Sequence, residues 1–227
     1  MSIKNNISLF KREIESSNCK LVAVSKTHPH EKILEAYGAD QRIFGENKVQ
    51  EMVAKWEVLP KDIDWHLIGH LQTNKVKYIA PFVSLIHSVD SQKLLEEINK
   101  QAKKANRKIN CLLQIHIAKE ETKFGFDEQE LISLLDGGIF SSLDSITLKG
   151  LMGMATLTED NNQIRKEFKY LKNLFTNVNT RMPSAKEFNE LSMGMSSDYK
   201  IAMEEGSTMV RIGTAIFGDR DYSTITN

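Results

Sequence analysis

Cysteine is scarce in this sequence, which has two, Cys19 and Cys111, among its 227 residues. They lie far apart and in no C-x-x-C pair or other metal-binding spacing, so neither a disulfide framework nor a zinc site is predicted. Unpaired thiols are typical of a reducing compartment. We therefore predict a cytoplasmic protein without a bound metal.

The sequence also has no excess of positive or negative charge. Lys plus Arg number 30 and Asp plus Glu number 30, so the formal net charge is zero. Nucleic-acid-binding domains usually carry a basic excess. No apolar run approaches the roughly 20 residues that cross a membrane, and the charged N-terminal segment has no signal-peptide core. We expect no nucleic-acid partner and no membrane partner.

Linkers rich in proline, glycine or serine are missing, as is any low-complexity tract. The chain contains four prolines and 12 glycines. Apolar residues make up 41% of it, which suffices for a sizeable core in a chain of this length. We predict one domain that spans residues 1–227.

Short apolar runs alternate with helical patterns along the chain. A first helix is indicated by apolar residues at three-to-four spacing before the first strand. Eight strands are predicted: Leu21–Ser25, Arg42–Gly45, Trp65–Gly69, Val83–Val89, Ile109–Ile117, Thr147–Met154, Glu187–Met195 and Thr208–Gly213. Eight βα units in this length favour a TIM (β/α)8 barrel with an extra N-terminal helix. The alternative is a doubly wound sheet, which usually has a glycine-rich turn after its first strand; KTHPH stands there instead.

The ends of the last two strands suggest an anion site. Gly213 and Thr214 begin a short helix after the eighth strand, and Ser196 and Ser197 begin the helix after the seventh. Helix N-termini bind phosphate through free N–H groups, and TIM barrels commonly bind phosphate at these two loops. Ordinary N-capping by Ser and Thr is the alternative explanation of each segment.

Two cations also lie at predicted strand ends. Arg211 alternates with Val210 and Ile212, so it points into the barrel if they point outward. Its partner there is either a ligand or a carboxylate such as Glu46 or Asp90. Lys26 follows a buried strand; a desolvated lysine becomes neutral more easily and can then form a Schiff base with an aldehyde.

Five motifs occur in order between residues 22 and 218: VAVSKTHP, FGENKVQE, HLIGHLQTNK, GLMGMAT and LSMGMSSDYKIAMEEGSTMVRIGTAIFG. Together they resemble the pyridoxal phosphate homeostasis proteins, single-domain relatives of the alanine racemase N-terminal barrel. The resemblance covers nearly the whole chain, and five ordered motifs are far more specific than any one of them.

The resemblance implies a fold-type III barrel that binds pyridoxal 5′-phosphate (PLP) as a Schiff base on Lys26. It implies that Arg211 faces the pyridine nitrogen and that Asn47 lies near the cofactor. It also implies a phosphate site made by Ser196, Ser197, Gly213 and Thr214. His28 stands where many members have lysine, whereas Lys123 matches a family lysine.

The expected function is intracellular PLP (vitamin B6) homeostasis, by buffering or delivery to transient PLP-dependent apoenzymes, without strong catalytic activity. A pyridine nitrogen that faces an arginine stays unprotonated, which weakens the cofactor as an electron sink. A racemase also needs a second acid/base, which in alanine racemases is a tyrosine from the partner's second domain. Among the nine residues after Gly218, Tyr222 is the only candidate for that acid/base. We also expect the protein to be a monomer.

Two other functions remain open at this stage. The first is an amino-acid racemase-like enzyme that uses Lys26 and a second base not yet identified. The second is a Schiff-base phosphosugar aldolase or isomerase that works without PLP.

Overall fold

Eight parallel strands close into a barrel in which each strand pairs with the next and the eighth pairs with the first. A computed structural model describes residues 2–15, 17–120, 124–181 and 187–219. The strands are β1 (Lys20–Val24), β2 (Ile43–Glu46), β3 (Asp64–Leu67), β4 (Leu85–Val89), β5 (Ile109–Ile115), β6 (Ile146–Gly153), β7 (Glu190–Met195) and β8 (Met209–Ile212). The predicted TIM barrel is confirmed.

Helices follow the strands around the outside of the barrel. In the described part of the chain they are α1 (Ile3–Glu15), α2 (His30–Gly38), α3 (Val49–Val58), α4 (Val76–Ile79), α5 (Gln92–Lys104), α6 (Glu128–Asp136), α7 (Asn161–Arg181), α8 (Tyr199–Glu204) and α9 (Thr214–Phe217). The extra helix α1 buries its predicted apolar face and packs against α2 and α9. None of these helices is long and apolar enough to span a membrane.

Period-2 alternation divides the apolar side chains into two cores. Along β1, Leu21 and Ala23 join the large core between the sheet and the helices. Val22 points the other way and packs in a small separate cluster inside the barrel with Leu85, Leu112, Met152 and Met209. This alternation brings every second residue of each strand into the barrel interior, which positions the side chains described below.

Local signals place several helix ends. Asp127 accepts a hydrogen bond from the backbone N–H of Glu130, whose carboxylate accepts one from the N–H of Asp127, so a capping box begins α6. Ser91 caps α5. One prediction was wrong: the helix after β7 begins at Tyr199, and Asp198 rather than a serine precedes it. The carboxylate of Asp198 accepts a hydrogen bond from the N–H of Met195, which holds Ser196 and Ser197 in a turn outside the helix.

Cys19 and Cys111 are both buried free thiols. Burial raises the pKa of Cys19 to about 11 and also raises the pKa of Cys111. Both therefore stay protonated at neutral pH and contribute as small apolar residues of the core.

Candidate functional site

A cavity of about 400 Å³ lies at the carboxyl ends of the strands. Seven residues singled out in the sequence line it: Lys26, Asn47, Ser196, Ser197, Arg211, Gly213 and Thr214. They lie in β8 or in the turns that follow strands β1, β2, β7 and β8, which the closed barrel makes adjacent around one mouth. Its volume is within the range of small-molecule sites. We call it the upper cavity.

The lining of the upper cavity combines positive charge with apolar surface. Lys26 and Arg211 are the cations, and no Asp or Glu is among the described lining residues. Apolar surface comes from Val24, Ile68, Met154, Leu157 and Met195. Such a cavity suits a ligand that has both an anionic group and an apolar part, because carboxylates that would repel the anion are missing from the described lining.

Arg211 is buried, and its inward direction was predicted correctly. Nη1 donates a hydrogen bond to Ser192 Oγ over 2.6 Å, and Nη2 donates to the carbonyl of Gly153 over 3.1 Å. Burial lowers the pKa of Arg211 to about 10, while the charge of Asp198 acts in the opposite direction. The guanidinium is therefore still charged at neutral pH, and both of these acceptors are neutral.

The two carboxylates that we considered as partners of Arg211 bind elsewhere. Asp90 accepts a hydrogen bond from His70 Nδ1 over 3.0 Å. Glu46 points to the outer face of the sheet, where it contacts Lys55 of α3. Neither carboxylate is therefore a partner of Arg211, whose charge is supported by Asp198 and whose hydrogen-bond acceptors are Ser192 and the Gly153 carbonyl.

Lys26 is half-buried in a turn directly after β1. The next residue, Thr27, has φ +65°, a left-handed conformation that is uncommon for a β-branched residue. The N–H of Thr27 donates to Glu51 Oε1 over 2.5 Å. A carboxylate of α3 therefore holds the turn that carries Lys26.

A charged cluster of Ser25, Glu46, Glu51 and Lys55 lies beneath this turn. Lys55 Nζ donates to Glu46 Oε1 over 2.8 Å, to Glu51 Oε1 over 2.7 Å and to the carbonyl of Ser25 over 2.7 Å. The Ser25 hydroxyl donates to Glu46 Oε1 over 2.5 Å. Burial raises the pKa of Glu46 to about 7 against the opposing charge of Lys55.

A second buried polar group, the histidine chain, runs through the barrel interior from Arg211. Ser192 Oγ lies 3.0 Å from His87 Nδ1, and His87 Nε2 lies 3.0 Å from His66 Nδ1. Burial lowers the pKa of His66 to about 3 and lowers that of His87 well below its usual range. Both rings are therefore neutral at pH 7.

The turns after β7 and β8 meet at the upper cavity. The N–H of Gly213 donates to Ser196 Oγ over 3.3 Å, which ties the two turns together. Helix α9 begins at Thr214, and the first N–H groups of a helix have no partner within it. With the hydroxyls of Ser196, Ser197 and Thr214 they form a set of donors without a carboxylate, as a phosphate group requires.

Asn47 lines the cavity, and Gly69 packs against its backbone. A Cβ at Gly69 would lie 2.5 Å from the carbonyl oxygen of Asn47, so only glycine fits there. His28 also lines the cavity, is buried, and stacks on Phe217 with ring centroids 5.1 Å apart. Lys123 and Tyr222, which the sequence also singled out, lie outside the described residues.

The described chain contains no group of three or more His, Cys, Asp or Glu side chains that could hold a metal ion.

Sequence reasoning missed several supporting residues. Lys55, Glu51 and His87 were not singled out in the sequence. A helical projection of α3 would have revealed Lys55, because it lies on the buried face with Val49 and Met52.

Comparisons with known proteins show the family of this chain. The family described as alanine racemase, N-terminal domain, matches residues 1–221. The pyridoxal phosphate homeostasis protein of Aquifex aeolicus is 42% identical over 211 residues, which cover 90% of this chain and 89% of the relative. The human protein of the same name is 37% identical over 222 residues, covering 93% of this chain and 80% of the relative.

Solved structures give the same result. PipY of Synechococcus elongatus with PLP bound has a TM-score of 0.87 and 36% identity, covering 96% of this chain and 100% of that one. Alanine racemase from Bartonella henselae, at 16% identity and a TM-score of 0.71, shares the fold; the match covers 100% of this chain and 62% of that one. This chain therefore belongs to the alanine racemase N-terminal domain family and, within it, to the pyridoxal phosphate homeostasis proteins.

Proposed function

We propose that this chain binds PLP in the upper cavity and acts in intracellular PLP homeostasis. The observation that carries the proposal is the pairing of two inward cations, Lys26 and Arg211, in a cavity whose described lining has no carboxylate. Relatives named pyridoxal phosphate homeostasis protein and the PLP-bound structure of PipY support it.

Lys26 is the proposed covalent anchor. PLP supplies an aldehyde, which a neutral primary amine converts to a Schiff base with loss of water. The turn that carries Lys26 is held on its outer side by the charged cluster, through Ser25 and Thr27. This support leaves the lysine side chain directed at the cavity that it lines.

The remaining contacts divide between the two ends of the cofactor. The phosphate is assigned to the N–H groups at the start of α9 and to the hydroxyls of Ser196, Ser197 and Thr214. Each of these groups can donate a hydrogen bond to an anion. Arg211 is assigned to the pyridine nitrogen, to which its guanidinium would donate a hydrogen bond. Asn47 is assigned to a polar contact with the cofactor.

We propose a carrier rather than a strong catalyst. The guanidinium of Arg211 keeps its proton at neutral pH, since its pKa falls only to about 10. A pyridine nitrogen beside it stays unprotonated, which disfavours carbanion chemistry. Among the described lining residues, His28 is the only titratable side chain besides the two cations. Within the described lining, His28 is thus the candidate second base of the racemase alternative, and exchange of a substrate α-hydrogen for deuterium that His28→Phe abolishes would support that alternative.

The proposal extends to the setting of the protein. We propose a cytoplasmic location, supported by the two free buried thiols, and transient PLP-dependent apoenzymes as partners. We also propose a single-domain monomer. Its support is that, within the described residues, each large exposed apolar side chain lies on a different helix or loop, as scattered surface residues of monomers do.

Absorbance titration with PLP tests the proposed site. We expect the wild-type protein to turn yellow and the Lys26→Ala variant to lose the Schiff-base band. The matched control is Lys166→Ala, which removes an exposed lysine of α7 and should bind as the wild type does. A wild-type protein that stays colourless, or a Lys26→Ala variant with the full band, would contradict the proposal. Transfer from the yellow protein to an aminotransferase apoenzyme then measures delivery.

A further inference from the structure

We propose that Ser192, His87 and His66 are positioning residues for Arg211. They form a hydrogen-bonded chain of one fixed direction that holds the guanidinium at the upper cavity and ends as an N–H donor on the far side of the barrel. The direction of these hydrogen bonds is a property of the protein without PLP. Its effect on PLP rests on the function proposed above.

Arg211 and the histidine chain together cross the barrel interior, and their side chains come from four strands. Arg211 of β8 donates to Ser192 of β7 over 2.6 Å. Ser192 Oγ lies 3.0 Å from His87 of β4, which lies 3.0 Å from His66 of β3. Ser192 and His87 are completely buried, and Arg211 and His66 are 4% and 6% exposed. Bulk water therefore does not compete for these hydrogen bonds.

The direction of the chain is set by the arginine. A guanidinium can only donate, so Ser192 Oγ must accept from Arg211. Among the described residues, His87 is the one other hydrogen-bond partner of Ser192 Oγ. The hydroxyl hydrogen must therefore go to His87 Nδ1, since the reverse arrangement would leave a buried hydroxyl without an acceptor.

The same reasoning fixes both imidazoles. His87 Nδ1 accepts, so the neutral ring carries its hydrogen on Nε2 and donates to His66 Nδ1. His66 then carries its own hydrogen on Nε2. Both rings are neutral Nε2–H tautomers, and every donor along the chain points away from the upper cavity.

The chain ends at a second cavity, the lower cavity, of about 360 Å³. It lies at the amino ends of the strands, where Lys20, Asp64 and Asn110 line it together with His66. His66 Nε2 has no hydrogen-bond partner among the described residues, so the ring offers its N–H to this polar space.

The consequence for Arg211 is orientation. Nη1 is fixed by Ser192 and Nη2 by the Gly153 carbonyl. Removing the acceptor at the far end would weaken each bond in turn, because polarised hydrogen bonds in a buried chain reinforce one another. The guanidinium would then be less well placed for an acceptor in the upper cavity.

Nitrogen-15 NMR of histidine-labelled protein without PLP tests the direction of the chain. His66 and His87 are expected as neutral Nε2–H tautomers between pH 5 and 8, and Ser192→Ala should shift His87 toward a mixture of tautomers. Ser88→Ala, which removes another buried serine hydroxyl beside His87, should leave both tautomers unchanged. An Nδ1–H tautomer or a charged ring in the wild-type protein would overturn the proposal.

PLP titration tests the positioning role. His66→Leu removes the acceptor and should weaken PLP binding about fivefold, the equivalent of one neutral hydrogen bond, and shift the absorbance maximum. His66→Asn, which keeps an acceptor near the Nδ1 position, should restore most of the affinity. Unchanged affinity and spectrum in His66→Leu would overturn the positioning role. A wild-type protein in which His66 and His87 are both Nε2–H tautomers, but which binds no PLP, would contradict the proposed function. It would leave the proposed direction of the histidine chain unaffected.

Discussion

Two buried sets of polar side chains, the charged cluster and the histidine chain, support the upper cavity from opposite faces of the same sheet. They differ in how the cost of burying polar side chains is offset. The charged cluster lies between β2 and α3 and balances the ammonium of Lys55 against Glu46 and Glu51. The histidine chain lies inside the barrel and consists of neutral rings and one hydroxyl next to the charged Arg211. One group supports Lys26, and the other supports Arg211.

The two groups respond to pH in opposite directions. Burial raises the pKa of Glu46, so the folded protein binds a proton that the unfolded chain has already lost. Burial lowers the pKa of His66, so the unfolded chain binds a proton that the folded protein refuses. Stability therefore falls with rising pH on account of Glu46, and falls with falling pH on account of His66.

The largest expected effect comes from removing the cation of the charged cluster. Lys55→Met leaves Glu46 and Glu51 buried or half-buried without their shared ammonium. We expect the free energy of unfolding to fall by about 3–5 kcal/mol, as when one partner of a buried ion pair is removed. Urea unfolding measures it, with exposed Lys108→Met as the control. A loss below about 1 kcal/mol would show that the cluster is not a structural support.

The acid limb of stability should depend on the histidine chain. With the pKa of His66 at about 3 in the folded protein, against 6.5 for an ordinary histidine, the wild type should lose about 3 kcal/mol on this account between pH 7 and pH 4. His66→Asn cannot titrate and should lose that much less. Urea unfolding of both proteins at the two pH values checks this, and parallel curves would be the contrary outcome.

The charged cluster should give the opposite slope at higher pH. Because the pKa of Glu46 is about 7 when folded, stability should fall by about 2.5 kcal/mol between pH 4.5 and pH 7 on its account. Glu46→Gln has the same shape and cannot titrate. The difference in unfolding free energy between wild type and variant should therefore change across this range. A constant difference would mean that Glu46 is charged in the folded protein throughout.

The smallest expected effect is that of Ser25→Ala. The hydroxyl of Ser25 donates to Glu46 Oε1, but Lys55 still donates to the same oxygen and to the Ser25 carbonyl. We expect a loss of about 1 kcal/mol, typical of one hydrogen bond. Urea unfolding at pH 7 measures it. A loss as large as that of Lys55→Met would show that the hydroxyl, rather than the ammonium, holds the cluster together.

The comparison also shows what the sequence can predict. Lys26 and Arg211 were found because a strand has period 2 and a barrel brings its strand ends together. Neither rule requires knowing which side chains contact one another. The same rules placed the two turns that carry Ser196 and Gly213, although the start of α8 was placed too early because Asp198 was overlooked.

The support behind these residues was harder to predict. Lys55 and Glu46 are nine positions apart and pair across a strand and a helix. His66, His87 and Ser192 come from three strands, and only the closed barrel brings them into one line. Such long-range pairings follow from packing in three dimensions, for which a single sequence carries no direct signal. The buried position of Lys55 on the apolar face of α3 is the exception.

The most direct test of the account is to map the covalent anchor. The protein is saturated with PLP, reduced with borohydride, digested and analysed by mass spectrometry, with wild type and Lys26→Ala treated in parallel. The account predicts one reduced pyridoxyl label on the peptide that contains Lys26 and no label in the variant. A label on another lysine in the wild-type protein, or no label at all, would contradict it.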